Sequence, residues 1–540
     1  MKKVQKKGFY EVFSKRSLIC FFIIICLFSL TGARIFEIAV DEKYLTAQKT
    51  QSFHREDVER IRGTVYDCNM TPITNNKRTL YAAIPPTPDA AVSVGEYLSD
   101  GQLDKARERL EERKVAVCKP DREIDNQNIA TTIVYSTEYN GFLFEHLVGY
   151  VGADGHGKCG IEEAYDDILY TGEYAGASYP VSGTGNALLG EKPEFYNDLK
   201  KTESGVVLTV DMNIQKTVAE ASKGLKKGAV IIADVKTGKI RALLSKPSFS
   251  PGDLQSVVNA ENSPLINRAL TPFSVGSVFK PCIAASAIDN NLSDIIYNCK
   301  GRSLIDGRYF SCHKKEGHAL VNLKSALAFS CNSYFYNLGK VLGAEKIRKS
   351  ALLCNFGSSF KICKNITVDG GNLTLATHLK TDSQIANFSI GQGDIMISPV
   401  GMLTLYTAIA GDGTYYIPSV VEATVSGDKT KIYDYGKKTR AMSEKAARII
   451  REDLREVVVS GTAEQANSEK VKICGKTATA QTGQYGKDGT EITNNWFCGF
   501  FPYENPRYVG VVMSEGKSEI SPALIFKEIA EKMSEMRQGG

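Results

Sequence analysis

The pattern of hydrophobic and polar positions divides the 540-residue chain into three regions. A continuous apolar run covers residues 18–33, a mixed and irregular region covers 35–200, and residues 201–540 carry apolar strand-like runs and helical stretches. In the third region, the strand-like runs stand at both ends of a longer helical stretch near 270–410. This order predicts an α+β fold in which one antiparallel sheet is flanked by a cluster of helices.

The apolar run reads LICFFIIICLFSLTGA and lies between Arg16 and Arg34. It is slightly shorter than the roughly 20 apolar residues of a spanning helix, but tilting or snorkelling of the flanking arginines closes the gap. A cleaved signal peptide is the alternative, although the run exceeds the usual signal-peptide core and no clear small-x-small cleavage site follows before Arg34. We predict a single-pass anchor at 17–34, a basic cytoplasmic tail at 1–16, and the remaining chain outside the cytoplasm.

The middle region, residues 35–200, predicts a separate and loosely built domain of mixed α/β structure. Residues 35–60 have the pattern of a helical stalk, and RIRGTVYDCNMTPI (60–73) has that of a strand running into a turn. The segment 102–114 predicts an amphipathic helix, because its apolar residues recur at helical spacing.

The third region, residues 201–540, contains clearer elements. SGVVLTVDMNIQKTVAEA (204–221) predicts a strand followed by a helix with Asp211 near its N-cap. GAVIIADVKTGKIRALLS (228–245) predicts two strands joined by a turn at 236–238. Further strands are expected within 469–482 and 494–515, and a last helix at 521–535.

Composition and charge narrow the class of protein. Hydrophobic residues make up 43% and charged residues 24%, which is ordinary for a globular chain. The net charge of +5 comes largely from the first sixteen residues, so the remainder is near neutral. We therefore expect no nucleic-acid partner.

Thirteen cysteines are present, two of them in the anchor. The other eleven are an odd number without framework spacing, which argues against a complete disulfide scaffold. Neither CxxC nor HExxH occurs, so the sequence predicts no metal site. Cys299 and Cys312 flank a loop and are candidates for one disulfide, while buried free thiols are expected for most of the others.

The candidate chemistry begins at Ser277-Val278-Phe279-Lys280. Residues three apart share a helix face, so a lysine whose pKa is lowered by burial can act as base for the serine. An S-x-x-K match arises often by chance, and two polar residues on a helix turn are the simpler interpretation of this motif alone. Ser330-Cys331-Asn332 adds a hydroxyl and an amide at a break between helices, although a helix cap explains it equally well in isolation.

A lysine strand would complete the set by binding an anionic end of a substrate. Lys236-Thr237-Gly238 is a literal K-T-G, but it precedes the serine and lies at a hairpin turn. Lys476-Thr477-Ala478-Thr479 lies on a late strand, whose alternation puts Lys476 and Ala478 on one face and the two threonines on the other. The chain order selects this second candidate.

In this order, SVFK (277–280), SCN (330–332) and KTATA (476–480) resemble the active-site motifs of the penicillin-binding transpeptidases. RGTVYDCN (62–69), HLVGYVG (146–152) and GIEEAYDDILYTG (160–172) resemble N-terminal segments of the class B, monofunctional branch. The resemblance runs from about residue 60 to 535. It implies a pedestal domain at 35–200 and a penicillin-binding/β-lactamase-like transpeptidase domain at 201–540. Further similar segments are NRAL (267–270), GHALVNLKSALAFSCNSYF (317–335), SIGQGDIMISPVGMLTLYTAIAGDGTY (389–415), VVVSGTAEQA (457–466) and WFCGFFPYENPRYVGVV (496–512).

The resemblance implies a role for each motif residue. Ser277 would attack the penultimate D-alanine carbonyl of a stem peptide, with Lys280 as base. Ser330 would pass a proton to the leaving amine, and Asn332 would hold the peptide amide. The terminal carboxylate would bind Lys476, Thr477 and Thr479, while the N–H groups of Ser277 and Thr479 would form the oxyanion hole.

The implied function is a peptidoglycan D,D-transpeptidase that crosslinks stem peptides through an acyl-serine intermediate, binds penicillin and uses no cofactor. Its implied partners are stem peptides ending in D-Ala-D-Ala, β-lactams, the membrane, a polytopic membrane glycosyltransferase and other cell-wall assembly proteins. A D,D-carboxypeptidase or β-lactamase is one alternative, in which water replaces the acceptor amine. A catalytically weak scaffold or β-lactam sensor is the other.

Three positions depart from the family pattern. Ala478 stands where glycine is usual, and its methyl group predicts slower acylation if it meets the substrate, so that Ala478→Gly would raise the rate. Cys68 stands where an arginine is common, and Asn69-Met70 stands where Asn-Gly is common. These differences leave open whether the usual turn forms there. Val275-Gly276 replaces the frequent Pro-Gly before the nucleophile.

Overall fold

The computed structural model describes residues 2–40, 52–139, 141–196, 204–427, 429–433, 437–486 and 489–536. The chain forms two compact units. The first consists of Met1–Arg60, Arg78–Tyr135 and Glu173–Lys200, and the second of Ile61–Lys77, Ser136–Gly172 and Lys201–Gly540. The sequence assigned 61–77 and 136–172 to the N-terminal domain, so the predicted domains and the compact units divide the chain differently.

The helices and strands are numbered in chain order. The α-helices are α1 (Lys2–Val40), α2 (Pro88–Ser93), α3 (Asp100–Glu111), α4 (Gly160–Ala164), α5 (Asp166–Leu169), α6 (Met212–Ala221), α7 (Lys280–Asp289), α8 (Leu323–Ala328), α9 (Asn332–Leu342), α10 (Ala344–Leu353), α11 (Asp382–Ser389), α12 (Pro399–Ala410), α13 (Glu444–Val459) and α14 (Pro522–Glu535). Short 3-10 helices cover Val94–Glu96, Gly276–Phe279, Ala376–His378 and Glu464–Ala466. The strands are β1 (Phe53–Arg62), β2 (Thr64–Tyr66), β3 (Lys77–Ile84), β4 (Ala116–Cys118), β5 (Ala130–Ser136), β6 (Tyr170–Pro180), β7 (Glu194–Tyr196), β8 (Ser204–Leu208), β9 (Gly228–Asp234), β10 (Ile240–Lys246), β11 (Phe273–Ser274), β12 (Tyr297–Cys299), β13 (Arg302–Ile305), β14 (Arg308–Ser311), β15 (Ala319–Val321), β16 (Phe360–Lys361), β17 (Thr367–Val368), β18 (Met396–Ile397), β19 (Thr414–Tyr416), β20 (Val421–Ser426), β21 (Lys429–Ile432), β22 (Lys438–Arg440), β23 (Cys474–Tyr485), β24 (Glu491–Phe501) and β25 (Tyr508–Glu515).

Helix α1 carries the apolar segment. Its 26 residues from Lys15 to Val40 are long and apolar enough to cross a membrane, and its large apolar side chains are exposed. This stretch is longer than the predicted 17–34 and exceeds the roughly 20 residues that a span requires. The helix is therefore consistent with a single-pass membrane anchor.

The predicted helical stalk at 35–60 is wrong over its last part. Helix α1 ends at Val40, residues 41–51 lie outside the described chain, and Phe53–Arg62 form strand β1. Strand β1 pairs with β6 in the three-stranded sheet β1-β6-β7. This pairing between distant segments determines the strand conformation, although the spacing of the residues in β1 also fits a helix. The remainder of the first unit contains the sheet β4-β3-β5 and helix α3, whose Ala106 and Leu110 are buried as the amphipathic pattern predicts.

A five-stranded antiparallel sheet of order β10-β9-β25-β24-β23 forms the centre of the second unit. Helix α14 packs against β24 and β25, where Phe526 contacts Phe497 and Phe501. The strand period places Trp496 on the other face, toward the helical cluster. The predicted antiparallel sheet with flanking helices is confirmed, as is Asp211, which caps α6 by accepting from the N–H groups of Asn213 and Ile214.

Helix α7 is the centre of the helical cluster. Every residue from Lys280 to Ile288 is buried, because the helix packs against α8, α9, α10 and α13. Such a helix is apolar on all sides apart from Lys280 and Ser286. Burial of the ionisable Lys280 side chain in this helix requires hydrogen-bond partners, which are described below.

The turn after β2 forms despite its departure from the family pattern. The Asp67 Oδ1 accepts hydrogen bonds from the N–H groups of Asn69 and Thr71, and Met70 adopts a φ of 61°. Strand β2 pairs in parallel with β8. The doubt raised by Asn69-Met70 is therefore resolved in favour of a closed turn.

Candidate active site

The candidate nucleophile, Ser277, lies in the 3-10 helix Gly276–Phe279 that runs into α7. Gly276 has a φ of 58°, a conformation that favours glycine. A Cβ at this position would lie 3.1 Å from the Cβ of Ala480 on β23. The glycine before the nucleophile therefore allows both the sharp turn and the close approach of β23.

Several hydrogen bonds hold the backbone around Ser277. The Gly276 N–H donates to the Gly391 carbonyl at 2.9 Å, and Trp496 Nε1 donates to the Ser274 carbonyl at 3.0 Å. The Tyr406 hydroxyl donates to the Val278 carbonyl at 3.1 Å. The sequence did not identify Gly391, Tyr406 or Trp496 as site residues. The general rule that a buried tyrosine or tryptophan needs a hydrogen-bond partner does not indicate which backbone it will contact.

Lys280 connects the serine to the Ser-x-Asn turn. Its Nζ donates to the Ser330 carbonyl at 2.8 Å, to Ser330 Oγ at 3.1 Å and to Asn332 Oδ1 at 2.7 Å. Ser330 Oγ in turn lies 3.1 Å from Ser277 Oγ. The four predicted catalytic residues therefore form one continuous hydrogen-bonded network.

The environment of Lys280 favours its uncharged form. The side chain is fully buried, and desolvation lowers the pKa of its ammonium group to about 7. The Phe335 ring centroid lies 5.2 Å from Nζ and forms part of the apolar surroundings. A substantial fraction of Lys280 is therefore neutral near physiological pH, as a general base requires.

The turn Ser330-Cys331-Asn332 separates α8 from α9, as predicted. Cys331 occupies the N-cap position of α9 without a side-chain capping hydrogen bond, and Asn332 Oδ1 accepts from Lys280 instead. Ser330 has a φ of 53°, which is uncommon for a residue other than glycine. The capping interpretation is wrong, because both polar side chains face the lysine.

Strand β23 brings a second lysine to the site. Lys476 is buried, and its Nζ donates to Thr462 Oγ1 at 3.2 Å and to the Thr477 carbonyl at 3.1 Å. Burial, and secondly the charge of Lys280, hold the pKa of Lys476 well below its usual value. Thr477 Oγ1 also contacts Thr462 Oγ1, and Thr479 Oγ1 contacts Asn495 Oδ1 at 3.1 Å.

Thr462 is a site residue that the sequence did not single out. It lies in VVVSGTAEQA, after α13, and only the fold brings it beside Lys476 and Thr477. The other K-T-G candidate is confirmed as a hairpin turn. There, Asp234 Oδ1 accepts from the N–H groups of Lys236 and Thr237.

The methyl group of Ala478 lies on the buried face of β23. The residue is only 7% exposed, whereas Thr477 and Thr479 lie on the more accessible face. The Ala478 Cβ is 3.6 Å from the position of a Cβ on Gly276, so it packs toward the nucleophile turn. This placement argues against the hypothesis that the methyl group obstructs substrate.

The fold also assembles a set of residues that can hold a metal. The side chains of Cys299, Cys312, His318 and Cys331 place their ligand atoms within 4.8 Å of one another. The prediction of no metal site relied on local spacing and overlooked this set, because its members come from separate turns and strands. Cys299 and Cys312 are free thiols, so the candidate disulfide between them is not formed.

Known proteins share both this sequence pattern and this fold. The family model "Penicillin binding protein transpeptidase domain" matches residues 228–533. Stage V sporulation protein D of Bacillus subtilis is 30% identical over 390 residues, which cover 68% of this chain and 58% of that protein. Peptidoglycan D,D-transpeptidase MrdA of Acinetobacter baumannii is 26% identical and is matched over 94% of this chain and 85% of its own length.

Solved structures agree on the fold. Penicillin binding protein 3 of Mycobacterium tuberculosis superposes with a TM-score of 0.64 at 22% identity, covering 89% of this chain and 97% of that one. A complex between penicillin-binding protein PBP2 and MreC of Helicobacter pylori gives a TM-score of 0.62 at 19% identity, covering 90% and 99% of the two chains. The matched family model spans more than half of the sequence, and the chain belongs to the penicillin-binding protein transpeptidase family.

Proposed function

We propose that the chain is a membrane-anchored peptidoglycan D,D-transpeptidase that crosslinks stem peptides through an acyl-serine intermediate. The observation that carries the proposal is the network from Ser277 through Ser330 to the buried Lys280 and Asn332. A nucleophile linked to a base of lowered pKa is the arrangement that acyl transfer requires.

The acylation step uses Lys280 as the base. Neutral Lys280 accepts a proton that Ser277 passes through the Ser330 hydroxyl, since hydroxyl groups can rotate to donate in either direction. Ser277 Oγ then attacks the penultimate D-alanine carbonyl. The N–H groups of Ser277 and Thr479 hold the oxyanion, and such donors are commonly worth about 3 kcal/mol each.

The tetrahedral intermediate collapses when its C–N bond breaks. Ser330 delivers the proton now held by Lys280 to the departing nitrogen, and the terminal D-alanine leaves as a free amine. The substrate carboxylate is assigned to Thr477 and Thr479 on the more accessible face of β23 and to Lys476, whose buried Nζ contacts Thr462 Oγ1 and the Thr477 carbonyl. The amine of a second stem peptide then attacks the ester, which releases Ser277 and forms the crosslink.

The same serine explains why β-lactams are expected ligands. Their strained amide resembles the D-Ala-D-Ala end, and opening of the ring forms an acyl-serine from which the leaving group cannot diffuse away. The solved structures of similar fold include penicillin binding protein 3 of Mycobacterium tuberculosis complexed with ampicillin. We extend this binding to the present chain on the strength of the Ser277 network.

The proposal includes location and partners. Helix α1 anchors the chain with its basic N-terminal residues in the cytoplasm, so the second unit faces the cell wall. Glycan strands are then supplied by a polytopic membrane glycosyltransferase. Other cell-wall assembly proteins are further partners.

A fluorescent penicillin tests the proposal on the full-length protein in detergent. We expect a gel-stable label on the parent and none on Ser277→Ala, because only the Ser277 hydroxyl can form the ester. Ser286→Ala is the matched control, since Ser286 is a buried serine on α7 whose hydroxyl donates to the Lys346 carbonyl outside the network. Equal labelling of Ser277→Ala and the parent would refute the assigned nucleophile.

A stem peptide separates the transpeptidase from its alternatives. We expect release of D-alanine together with a crosslinked product when an acceptor amine is supplied. Hydrolysis without crosslinking would favour a D,D-carboxypeptidase, and rapid loss of the penicillin label would favour a β-lactamase. A folded protein that neither takes up label nor releases D-alanine would be a scaffold.

A further inference from the structure

A cluster of three thiols and one imidazole lies directly behind the Ser-x-Asn turn. His318 Nδ1 is 3.6 Å from the Sγ atoms of both Cys299 and Cys312. Cys312 Sγ is 4.0 Å from Cys331 Sγ, and all four ligand atoms lie within 4.8 Å of one another. The three cysteines are buried.

Three of these separations, at 3.6, 3.6 and 4.0 Å, are close to those of a tetrahedral thiolate–imidazole site. Zinc bonds of about 2.3 Å to sulfur and about 2.0 Å to nitrogen place neighbouring ligand atoms roughly 3.5–3.8 Å apart. A disulfide instead requires sulfur atoms about 2.05 Å apart, far shorter than the separation of Cys312 from Cys331. Thiols that are buried only for apolar packing would not explain why the His318 ring nitrogen lies 3.6 Å from two sulfur atoms.

The local backbone is shaped to bring the ligands together. Cys299 ends β12, which pairs with β15 next to His318, and the Cys312 N–H donates to the Gly301 carbonyl at 2.8 Å. Gly301 and Gly317 both have positive φ. A Cβ at Gly301 would lie 1.8 Å from the Lys315 carbonyl oxygen, and one at Gly317 would lie 2.1 Å from the Cys299 carbonyl oxygen. The close crossing of these loops therefore depends on glycine at two positions.

The surroundings provide access and charge balance. His318 lines an open cleft of about 650 Å³ together with Lys314 and Lys315. A cation can therefore reach the cluster from this side. Three thiolates and one divalent ion carry a net charge of −1, which Lys314 and Lys315 partly offset although Glu316 lines the same cleft.

We infer that Cys299, Cys312, His318 and Cys331 bind one zinc ion in a closed, four-coordinate structural site. Three thiolates and one imidazole are a common ligand set for structural zinc, and a full set of four protein ligands leaves no position for substrate. Binding displaces the thiol protons to solvent and involves no redox change.

The proposed zinc site is connected through the backbone to the proposed catalytic network. Cys331 lies between Ser330 and Asn332, whose side chains both contact Lys280. Ser330 holds an uncommon positive φ, and a metal–thiolate bond at the next residue fixes that conformation. Metal loss is therefore expected to loosen the Ser-x-Asn turn and slow penicillin acylation severalfold, with Cys331 acting as a positioning residue.

Metal analysis of the full-length protein tests the inference without any substrate, so its outcome does not depend on the proposed function. We expect about one zinc ion per chain after purification in detergent without chelators. Cys312→Ser should lose this metal, because Cys312 contacts both His318 and Cys331. Cys363→Ser is the matched control, since Cys363 is a buried free cysteine outside the cluster, and it should keep the zinc.

Cobalt exchange provides a second readout that needs no variant. If zinc is removed by a chelator and replaced by Co²⁺, tetrahedral thiolate ligation gives intense visible bands and a sulfur-to-cobalt charge-transfer band. Absence of these bands, together with zinc content no higher than in Cys312→Ser, would overturn the inference. So would iron in place of zinc, or a disulfide linking two of the cluster cysteines in mass spectrometry of the alkylated protein.

Discussion

At the scale of single residues, the proposed chemistry depends on the burial of Lys280. Its Nζ reaches Ser277 through Ser330, and its only hydrogen-bond acceptors in the described chain are the uncharged oxygens of Ser330 and Asn332. Desolvation is the largest cause of the lowered pKa of this amine, and the nearby Cys331 and Cys312 act in the opposite direction. The sequence identified the pair by spacing, but the degree of burial follows from the packing of α7 against its four neighbouring helices.

The pH dependence of acylation follows from this lysine. In the proposed mechanism the neutral amine is the base. Since its pKa lies at about 7, the acylation rate should rise as pH increases through this value and then level off. The second-order rate constant for penicillin acylation, measured from about pH 6 to about pH 9, tests this. A rate that is still rising steeply at the upper end of this range would mean that Lys280 retains its ordinary pKa.

The Ala478→Gly variant tests the placement of the methyl group. Since Ala478 is on the buried face of β23, the variant should not acylate faster than the parent. It should lose roughly 0.5–1 kcal/mol of unfolding free energy, as glycine does within a strand. Stopped-flow acylation and chemical denaturation measure the two effects. A clear rate increase would restore the hypothesis that the methyl group obstructs substrate.

At the scale of elements, the site depends on how closely β23 approaches the 3-10 helix Gly276–Phe279. Gly276 makes this approach possible, and Trp496 on β24 and Tyr406 on α12 hold the backbone before and after Ser277. The nucleophile is therefore positioned by the sheet and the helical cluster together. None of these supports has a local sequence motif, because each depends on contacts between elements distant in the chain.

Substitution of Gly276 by alanine tests this arrangement. Gly276→Ala should lose roughly 1–2 kcal/mol from its left-handed backbone conformation. It should also slow acylation at least tenfold, because the added Cβ meets Ala480 and displaces the Ser277 turn. Gly307→Ala is the control, since Gly307 has a φ of 72° but open space around its Cβ position. Similar acylation by the two variants would show that neither the glycine conformation nor the contact with β23 at residue 276 is needed to position Ser277.

At the scale of the whole molecule, α1 is consistent with a single-pass membrane anchor. We expect the full-length protein to remain in the membrane fraction after high-salt and alkaline washing, and to keep an N-terminal epitope tag. Deletion of residues 2–40 should release it into the soluble fraction. Loss of the tag with a smaller mature protein would support the cleaved signal peptide instead.

Much of the fold could be predicted because its patterns are local. The hairpin β9–β10, the Asp211 cap and the late strands follow from alternation and capping in short segments. The segment 53–62 could not, because its charged residues fit a helix and only pairing with β6 makes it a strand. The cluster around Cys331 escaped detection for a related reason: its four ligands are adjacent only in the folded chain.

Formation of the acyl-enzyme on Ser277 is the step on which the proposed function depends, and mass spectrometry detects it at the level of single residues. The full-length protein is incubated with benzylpenicillin, digested and mapped for the mass of the intact penicillin. We predict one adduct, on the peptide that contains Ser277, and its loss in Lys280→Ala, where the network lacks its base. An adduct on any other residue, or an unchanged adduct rate in Lys280→Ala, would contradict the roles assigned to these two residues.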